Sequence, residues 1–210
     1  MKTRSRQWVA PLTGTGFIVL AIVAIVVGGQ PKDAKHPARE IVQWYIDNKD
    51  AVSVSAFIGM AGVVLLIFFG AHLRRVLRAA DDDGEILSLI AFLGVAIVGV
   101  GLAIDTTIQI AINATADDIS PVGVQALQAL YDNDFVPIAL GVILFLVATG
   151  LSVIRTGVLP KWLGWVMLAL VVLAFTPIGF VSALGSALLV LVLSIMLTLR
   201  TRTPSTVVTG

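Results

Sequence analysis

The sequence predicts an all-α fold, a polytopic bundle of transmembrane helices. Apolar residues make up 58% of the 210 residues, and the mean hydropathy is +0.99, whereas soluble domains are usually ~45–50% apolar. Several apolar runs reach the ~20 residues that a helix needs to cross a bilayer. No stretch between these runs is long enough to bury a core of its own. We therefore expect a single integral membrane domain over residues 1–210, with the lipid bilayer as its main partner.

Six apolar segments predict six spans. Each span should be an α-helix, because every backbone polar group in hydrocarbon must be paired inside the protein. The predicted spans cover residues 8–28, 51–72, 86–112, 135–155, 162–179 and 183–200. The first span follows a positively charged N-terminus, as a signal peptide does, but its apolar run is longer than the ~7–15 residues of a typical signal core. We interpret it as a retained span, with a cleaved signal peptide as the alternative.

The last two spans are separated by a proline. Residues 163–199 form one apolar block of 37 residues, which as a single helix would be ~55 Å long. The hydrocarbon core of a bilayer is only ~30 Å thick. Because a proline inside a helix removes a hydrogen bond and clashes with the preceding turn, Pro177 predicts a break and a helical hairpin.

The placement of lysine and arginine predicts the orientation, since cytoplasmic loops carry an excess of both. With the N-terminus inside, ten of the 14 lysine and arginine residues fall on the inner side. These ten are Lys2, Arg4, Arg6, Arg74, Arg75, Arg78, Arg155, Lys161, Arg200 and Arg202. We therefore expect a plasma-membrane protein with both termini in the cytoplasm.

The two larger outer loops each contain a short amphipathic helix. In residues 30–50, Trp44 and Tyr45 lie on the apolar face, and in residues 113–134 Tyr131 does so. We expect these helices to roof the outer end of the bundle.

Two acidic residues stand where spans two and four begin, Asp50 and Asp134. Side-chain oxygens at such positions accept hydrogen bonds from free amides, and their charge complements the helix dipole. We interpret both residues as helix caps.

The third span contains one carboxylate, Asp105, inside an otherwise almost continuous apolar run. A charged residue in hydrocarbon costs ~3 kcal/mol on insertion scales and is a functional-site hypothesis by default. Gln109 and Asn113 follow at four-residue intervals, so that all three share one helical face. This stripe predicts a polar pocket that opens to the outside.

Polar residues of other segments complete the predicted ligand site. At similar or shallower depth the remaining spans offer Ser55, Thr176 and Ser186, and the roof offers Trp44, Tyr45 and Tyr131. Two structural interpretations stay open. A protonated Asp105 bonded to Gln109 or to a neighbouring helix would serve helix packing, and serines and threonines in spans commonly bond their own helix carbonyls.

Composition and missing motifs exclude several functions. The chain has no cysteine, which removes disulfides, thiolate metal sites and cysteine nucleophiles. The net charge is +1, and no basic patch interleaved with aromatics indicates nucleic-acid binding. No GxSxG, HExxH or phosphate-binding glycine loop is present. We predict no metal and no cofactor, and the sequence assigns no catalytic residue.

Three short motifs carry a family resemblance. They are the loop-helix ends at 45–48 (YIDN) and 131–133 (YDN), the basic turn at 73–75 (LRR), and the run at 159–165 (LPKWLGW) that enters span five. In these motifs and in its overall plan, the chain resembles uncharacterised six-helix integral membrane proteins of actinobacteria. The resemblance implies the topology and leaves the activity open.

Three functions fit these observations. The first is binding or transport of a small or lipophilic molecule in the pocket around Asp105. The second is an accessory or structural subunit, alone as a homo-oligomer or with a partner chain, that packs through the small residues Gly99, Ala103 and Thr107. The third is an intramembrane enzyme with Asp105 as general acid, which would need a partner base or a charge-stabilising aromatic lining. The loop helices offer Trp44, Tyr45 and Tyr131 for such a lining.

Overall fold

The computed structural model describes residues 9–80, 85–176 and 179–202. These residues form eight α-helices and no strand, which confirms the all-α prediction. The helices are α1 (Val9–Gly28), α2 (Ala38–Asp47), α3 (Lys49–Arg78), α4 (Glu85–Thr115), α5 (Pro121–Tyr131), α6 (Val136–Thr156), α7 (Lys161–Ala174) and α8 (Phe180–Arg202). The short helices α2 and α5 are the two amphipathic loop helices that the sequence predicts.

Five segments within the described residues are long and apolar enough to cross a membrane. They are Ala10–Gly28, Lys49–Arg78, Glu85–Thr115, Pro121–Thr156 (which includes α5 and α6) and Val181–Arg200. The helix α7 is apolar but has only 14 residues. These apolar helices indicate a multi-pass membrane protein. Their ends depart from the predicted spans most at α3, which extends from Lys49 to Arg78 instead of covering 51–72.

The predicted span 162–179 ends early, because α7 stops at Ala174. The backbone tightens there: the amide of Phe175 donates to the carbonyl of Val172 and that of Thr176 to the carbonyl of Leu173. The Thr176 hydroxyl also donates to the Leu173 carbonyl at 2.7 Å. A proline pushes the residue directly before it, here Thr176, out of the helical region, so the helix has to end before that residue. The hairpin prediction is confirmed, although Pro177 itself lies outside the described residues.

The six long helices form a closed ring in the order α1, α3, α4, α6, α7, α8 and back to α1. Neighbours in the ring are antiparallel. For example, Gly14 near the start of α1 lies against Phe69 near the end of α3, and Gly28 at the end of α1 lies against Ser55 near the start of α3. The start of α1 also meets the end of α8, where Ser194 donates to the carbonyl of Pro11.

Glycines let α4 and α6 approach each other at backbone distance. A β-carbon added at Gly94 would lie 2.5 Å from the amide nitrogen of Phe145, and one added at Gly141 would lie 2.6 Å from that of Val98. Real side chains do not fit at such distances. Where the two helices cross, Gly94 of α4 therefore packs against the backbone of α6, and Gly141 of α6 packs against the backbone of α4. Small residues at helix crossings are a common device in membranes, where close packing takes the place of the hydrophobic effect.

One end of the ring is covered by a lid, which we define as α2 and α5 together. The buried residues Ile41, Tyr45 and Val124 of the lid pack with Ile112 of α4. The Tyr45 hydroxyl donates to Oε1 of Gln128 at 2.8 Å, and Gln128 in turn donates to Asp132 at 2.8 Å. The two loop helices therefore form one layer over what we call the lid end of the bundle.

Candidate ligand-binding cavity

A cavity of about 210 Å³ lies between α1, α3 and α4 near the lid end. Its walls come from α1, α3 and α4, and Tyr131 of α5 closes it towards the lid. The lower part is apolar and includes Phe17, Val63 and Leu102, whereas the upper part carries Asp105 and Gln109. The cavity is therefore amphipathic, with its polar groups gathered at the end nearest the lid.

The predicted polar stripe on α4 supplies the upper wall. Asp105 and Gln109 are one turn apart and both line the cavity. Gln109 makes a long hydrogen bond of 3.4 Å from Nε2 to the Tyr131 hydroxyl. The Asp105 carboxylate has neither a hydrogen bond nor an ion pair with any residue that the structure describes. Asp105 is thus positioned by its helix alone and is free to bind something in the cavity.

A second carboxylate, Asp134, lies close enough to Asp105 to interact with it electrostatically. Both carboxylates also interact with the Tyr131 hydroxyl. Atom Oδ2 of Asp134 is buried and has no partner among the described residues. The interpretation of Asp134 as a helix cap was wrong: Phe135 is the N-cap of α6, and no side chain bonds there. The turn at 132–135 places Asp134 one residue too early to reach the free amides of α6.

Two hydroxyl groups complete the polar lining. Ser55 of α3 is only 8% exposed, and its hydroxyl has no hydrogen-bond partner among the described residues although it lines the cavity. Thr106 is already committed, because its hydroxyl donates to the carbonyl of Leu102 at 2.8 Å. Ser55 is therefore the hydroxyl that remains available to a bound molecule.

The structure brings four of the nine predicted site residues together in the cavity. These four are Ser55, Asp105, Gln109 and Tyr131. Trp44 lies just outside, with its ring 3.5 Å from the position of a β-carbon at Gly29, which does line the cavity.

The other four predicted site residues lie outside the cavity lining and are held by other hydrogen bonds. Asn113 donates to the Lys49 carbonyl and to the Ser53 hydroxyl, both at 3.0 Å. Thr176 and Ser186 donate to carbonyls of their own helical turns, at Leu173 and Ser182. Tyr45 is fully buried in the lid. Back-bonding of this kind is common for serine and threonine in spans, and it removes these hydroxyls from the predicted site.

Charges on the lid are paired at its surface. Lys49 binds Asp117 at 3.0 Å and Lys32 binds Glu40 at 2.6 Å. The hydrogen bond from the lysine holds the pKa of each carboxyl below its usual range. Burial raises the pKa of the Tyr45 hydroxyl, which keeps it neutral as a donor to Gln128. Lys32 and Lys49 at the lid end are thus engaged with surface acids.

The mouth of the cavity lies at the end of α1. Of the residues that line the cavity, only Ile25 and Gly29 are exposed. Ile25 is 66% exposed, and Gly29 ends the helix with a φ of +69°, a left-handed conformation that favours glycine. No pattern in the sequence predicts this wall. Its residues are apolar or small, so their pattern indicates helix packing rather than a cavity.

No family model, curated protein or solved structure matches this chain. The resemblance to actinobacterial six-helix proteins therefore stays a prediction. In the part of the chain that the structure describes, no group of three or more His, Cys, Asp or Glu side chains could hold a metal ion. The geometry of the cavity is thus the basis for a functional proposal.

Proposed function

We propose that this protein is a six-span plasma-membrane protein that binds or transports a small or lipophilic molecule in the cavity around Asp105. In this proposal both termini are cytoplasmic, and the lid faces the outside. One observation supports ligand binding above all others. The Asp105 carboxylate lies on the wall of a cavity of about 210 Å³ and has no partner among the described residues. A charged residue retained at such a position, despite its insertion cost, marks a site that uses it.

The closed ring supports six crossings. The helix α7 contacts α6 and α8 and so occupies the sixth place in the ring. Its 14 residues extend ~21 Å, and the turn at 175–176 adds to that length. Because neighbouring helices in a ring of six run in opposite directions, the start of α1 and the end of α8 lie on the same side of the bundle. The arginines at the C-terminal end of α3 and the acidic residues of the lid agree with the lid facing outward.

The orientation can be tested with single cysteines, because the chain has none of its own. Ala126 on the lid and Ala79 after α3 are both exposed, so Ala126→Cys and Ala79→Cys should fold normally. We expect a membrane-impermeant maleimide to label Ala126→Cys in intact cells and Ala79→Cys only after permeabilisation. The reverse pattern would contradict the proposed orientation.

Two alternative functions receive less support. Gly99, the first residue of the small-residue face, lies against Ile67 and Val63 of α3 in the same chain. Ala103 and Thr107 are exposed, so two of the three residues remain for a partner helix. No histidine or lysine is among the residues that line the cavity, so an intramembrane enzyme would depend on Asp134 as the base or on Tyr131 as a charge-stabilising aromatic lining beside Asp105. Ligand binding accounts for more of the observed geometry than either alternative.

A cysteine at position 59 tests whether the cavity is accessible. A β-carbon at Gly59 would meet no atom within 4 Å, and Gly59 lines the cavity. Val64, on another face of α3, is 54% exposed and would face lipid. In vesicles of phosphatidylcholine, we expect methyl methanethiosulfonate to modify Gly59→Cys much faster than Val64→Cys, because the reactive thiolate needs a polar surrounding. We also expect benzyl alcohol to slow modification of Gly59→Cys.

The outcome at position 59 decides the proposal. Equal and slow reaction of both cysteines would mean that no accessible cavity exists, and the proposed function would fail. The reaction of Gly59→Cys could also be fast and remain unchanged when benzyl alcohol or related molecules of similar size are added. The cavity would then be open without holding such molecules, which also contradicts the proposed function.

A further inference from the structure

The polar end of the cavity carries negative charge without a compensating cation. Asp134 is the one charged side chain that interacts electrostatically with Asp105 among the described residues. Two lysines at the lid end of the bundle, Lys49 and Lys32, are paired with Asp117 and Glu40. Two neighbouring carboxylates in a partly buried site repel each other unless a cation or protons separate them. The site therefore favours a positively charged group over a neutral or negative one.

Two further hydroxyl groups surround the same place, of which that of Tyr131 has only the long hydrogen bond from Gln109. The Ser55 hydroxyl, on a residue that is more than nine-tenths buried, has no partner among the described residues and lines the cavity. The Tyr131 hydroxyl lies on the wall with its ring, and aromatic rings attract cations through their faces. Oxygen atoms from a serine, a tyrosine and a carboxylate suit an ammonium group, which offers donors and needs acceptors.

The rest of the cavity suits a small apolar body. Phe17, Ala21, Val63 and Leu102 supply carbon surface below Asp105. An engineered apolar cavity of ~150 Å³ is large enough to bind benzene. A cavity of about 210 Å³ therefore has room for a benzene-sized group together with a polar substituent.

The mouth fixes the direction from which such a molecule arrives. Ile25 and Gly29 are the exposed lining residues, and both lie at the lid end of α1. This is where an apolar helix surface gives way to the loop that leads to the lid, and Trp44 lies beside Gly29. Aromatic residues at such a level are typical of a membrane–water interface. An amphiphilic cation resides at that interface with its charge towards water and its apolar part in lipid.

We propose that the cavity binds an amphiphilic organic cation, an ammonium group on an apolar body of about benzene size, which enters beside the lid end of α1. The ammonium group lies between Asp105, the Tyr131 ring and the Ser55 hydroxyl, and the apolar body lies against Phe17, Val63 and Leu102. This inference rests on the proposed function and names the ligand class of the same site.

The test compares two molecules of nearly the same shape, benzylammonium and benzyl alcohol. Each is added to the full-length Gly59→Cys protein in phosphatidylcholine vesicles, and its protection of the cysteine against neutral methyl methanethiosulfonate is measured. We expect benzylammonium to protect the cysteine at a concentration at least about tenfold lower than benzyl alcohol needs, because its ammonium group forms a partly desolvated charge pair with Asp105. Benzoate should protect least.

Variants assign the preference to Asp105. Adding Asp105→Asn to Gly59→Cys should abolish the preference for benzylammonium and leave protection by benzyl alcohol in place. Asp105→Glu should retain it. Asp118→Asn, the same change at an exposed position of the lid loop, should leave it unchanged. The reaction rate of the cysteine without any added molecule shows whether each variant retains the fold of the cavity.

Each contrary result has one meaning. Equal protection by benzylammonium and benzyl alcohol would overturn the cationic ligand class while leaving the proposed binding function intact. Equal protection by sodium chloride at the same ionic strength would overturn the organic ligand in favour of an inorganic cation. A preference that survives Asp105→Asn would overturn the role of Asp105. Failure of every molecule to protect a reactive cysteine would overturn the proposed function itself.

Discussion

Replacing Gly94 with alanine should lower the free energy of unfolding by about 2 kcal/mol, the size of a typical overpacking penalty. The added β-carbon would lie 2.5 Å from the amide nitrogen of Phe145 and 2.8 Å from the carbonyl oxygen of Gly141. Both atoms belong to the backbone of α6, so no side chain can rotate away and the two helices must separate. Gly141→Ala, whose β-carbon would lie 2.7 Å from the Gly94 carbonyl oxygen, should have a similar effect from the opposite side.

The matched control is Gly59→Ala, a glycine-to-alanine change inside another membrane helix. Because its β-carbon would meet nothing within 4 Å, only the helix propensity changes, and that favours alanine by ~0.5–1 kcal/mol. Unfolding of the purified variants by a denaturing detergent, followed by circular dichroism, measures both effects. If Gly94→Ala and Gly59→Ala unfold at the same detergent fraction, the close crossing of α4 and α6 does not limit stability.

The sequence alone predicted the all-α fold and the position of most helices, because the bilayer leaves few alternatives. Apolar runs in hydrocarbon must be helical, and the loop helices at Trp44 and Tyr131 showed a clear amphipathic pattern. The end of α7 was misplaced by five residues, since it depends on how the turn before Pro177 bonds back to Leu173. Helix ends set by such local hydrogen bonds are the least predictable part of a span.

The candidate site was most predictable where the spacing along one helix sets it. Asp105 and Gln109 reach the cavity together because four residues make about one turn of α4. Thr176 and Ser186 lie at suitable depth but bond within their own helices, and sequence does not show which partner a hydroxyl chooses. The mouth at Ile25 and Gly29 depends on how α1 sits beside α3, a relation between two helices that no local pattern encodes.

Filling the cavity with Gly59→Phe should reduce the affinity for benzylammonium and for benzyl alcohol by at least about 100-fold. A phenyl group takes up roughly the benzene-sized part of the 210 Å³ available, and its first carbon has open space around it. The protein should therefore remain folded. A ligand present at 100 times its dissociation constant stabilises the native state by about 2.7 kcal/mol, and this stabilisation should disappear in Gly59→Phe.

The control for the filled cavity is Val64→Phe, which adds bulk to a face of α3 that is exposed in the bundle. It should retain the stabilisation by both molecules. If Gly59→Phe retains it as well, the molecules bind elsewhere and the cavity is not their site. Since steric blocking does not depend on charge, this variant locates the binding site independently of Asp105. We expect Gly59→Phe to lose binding of both molecules and Asp105→Asn to lose only the preference for the cation. The first result locates the binding site, and the second identifies the residue that selects the charged ligand.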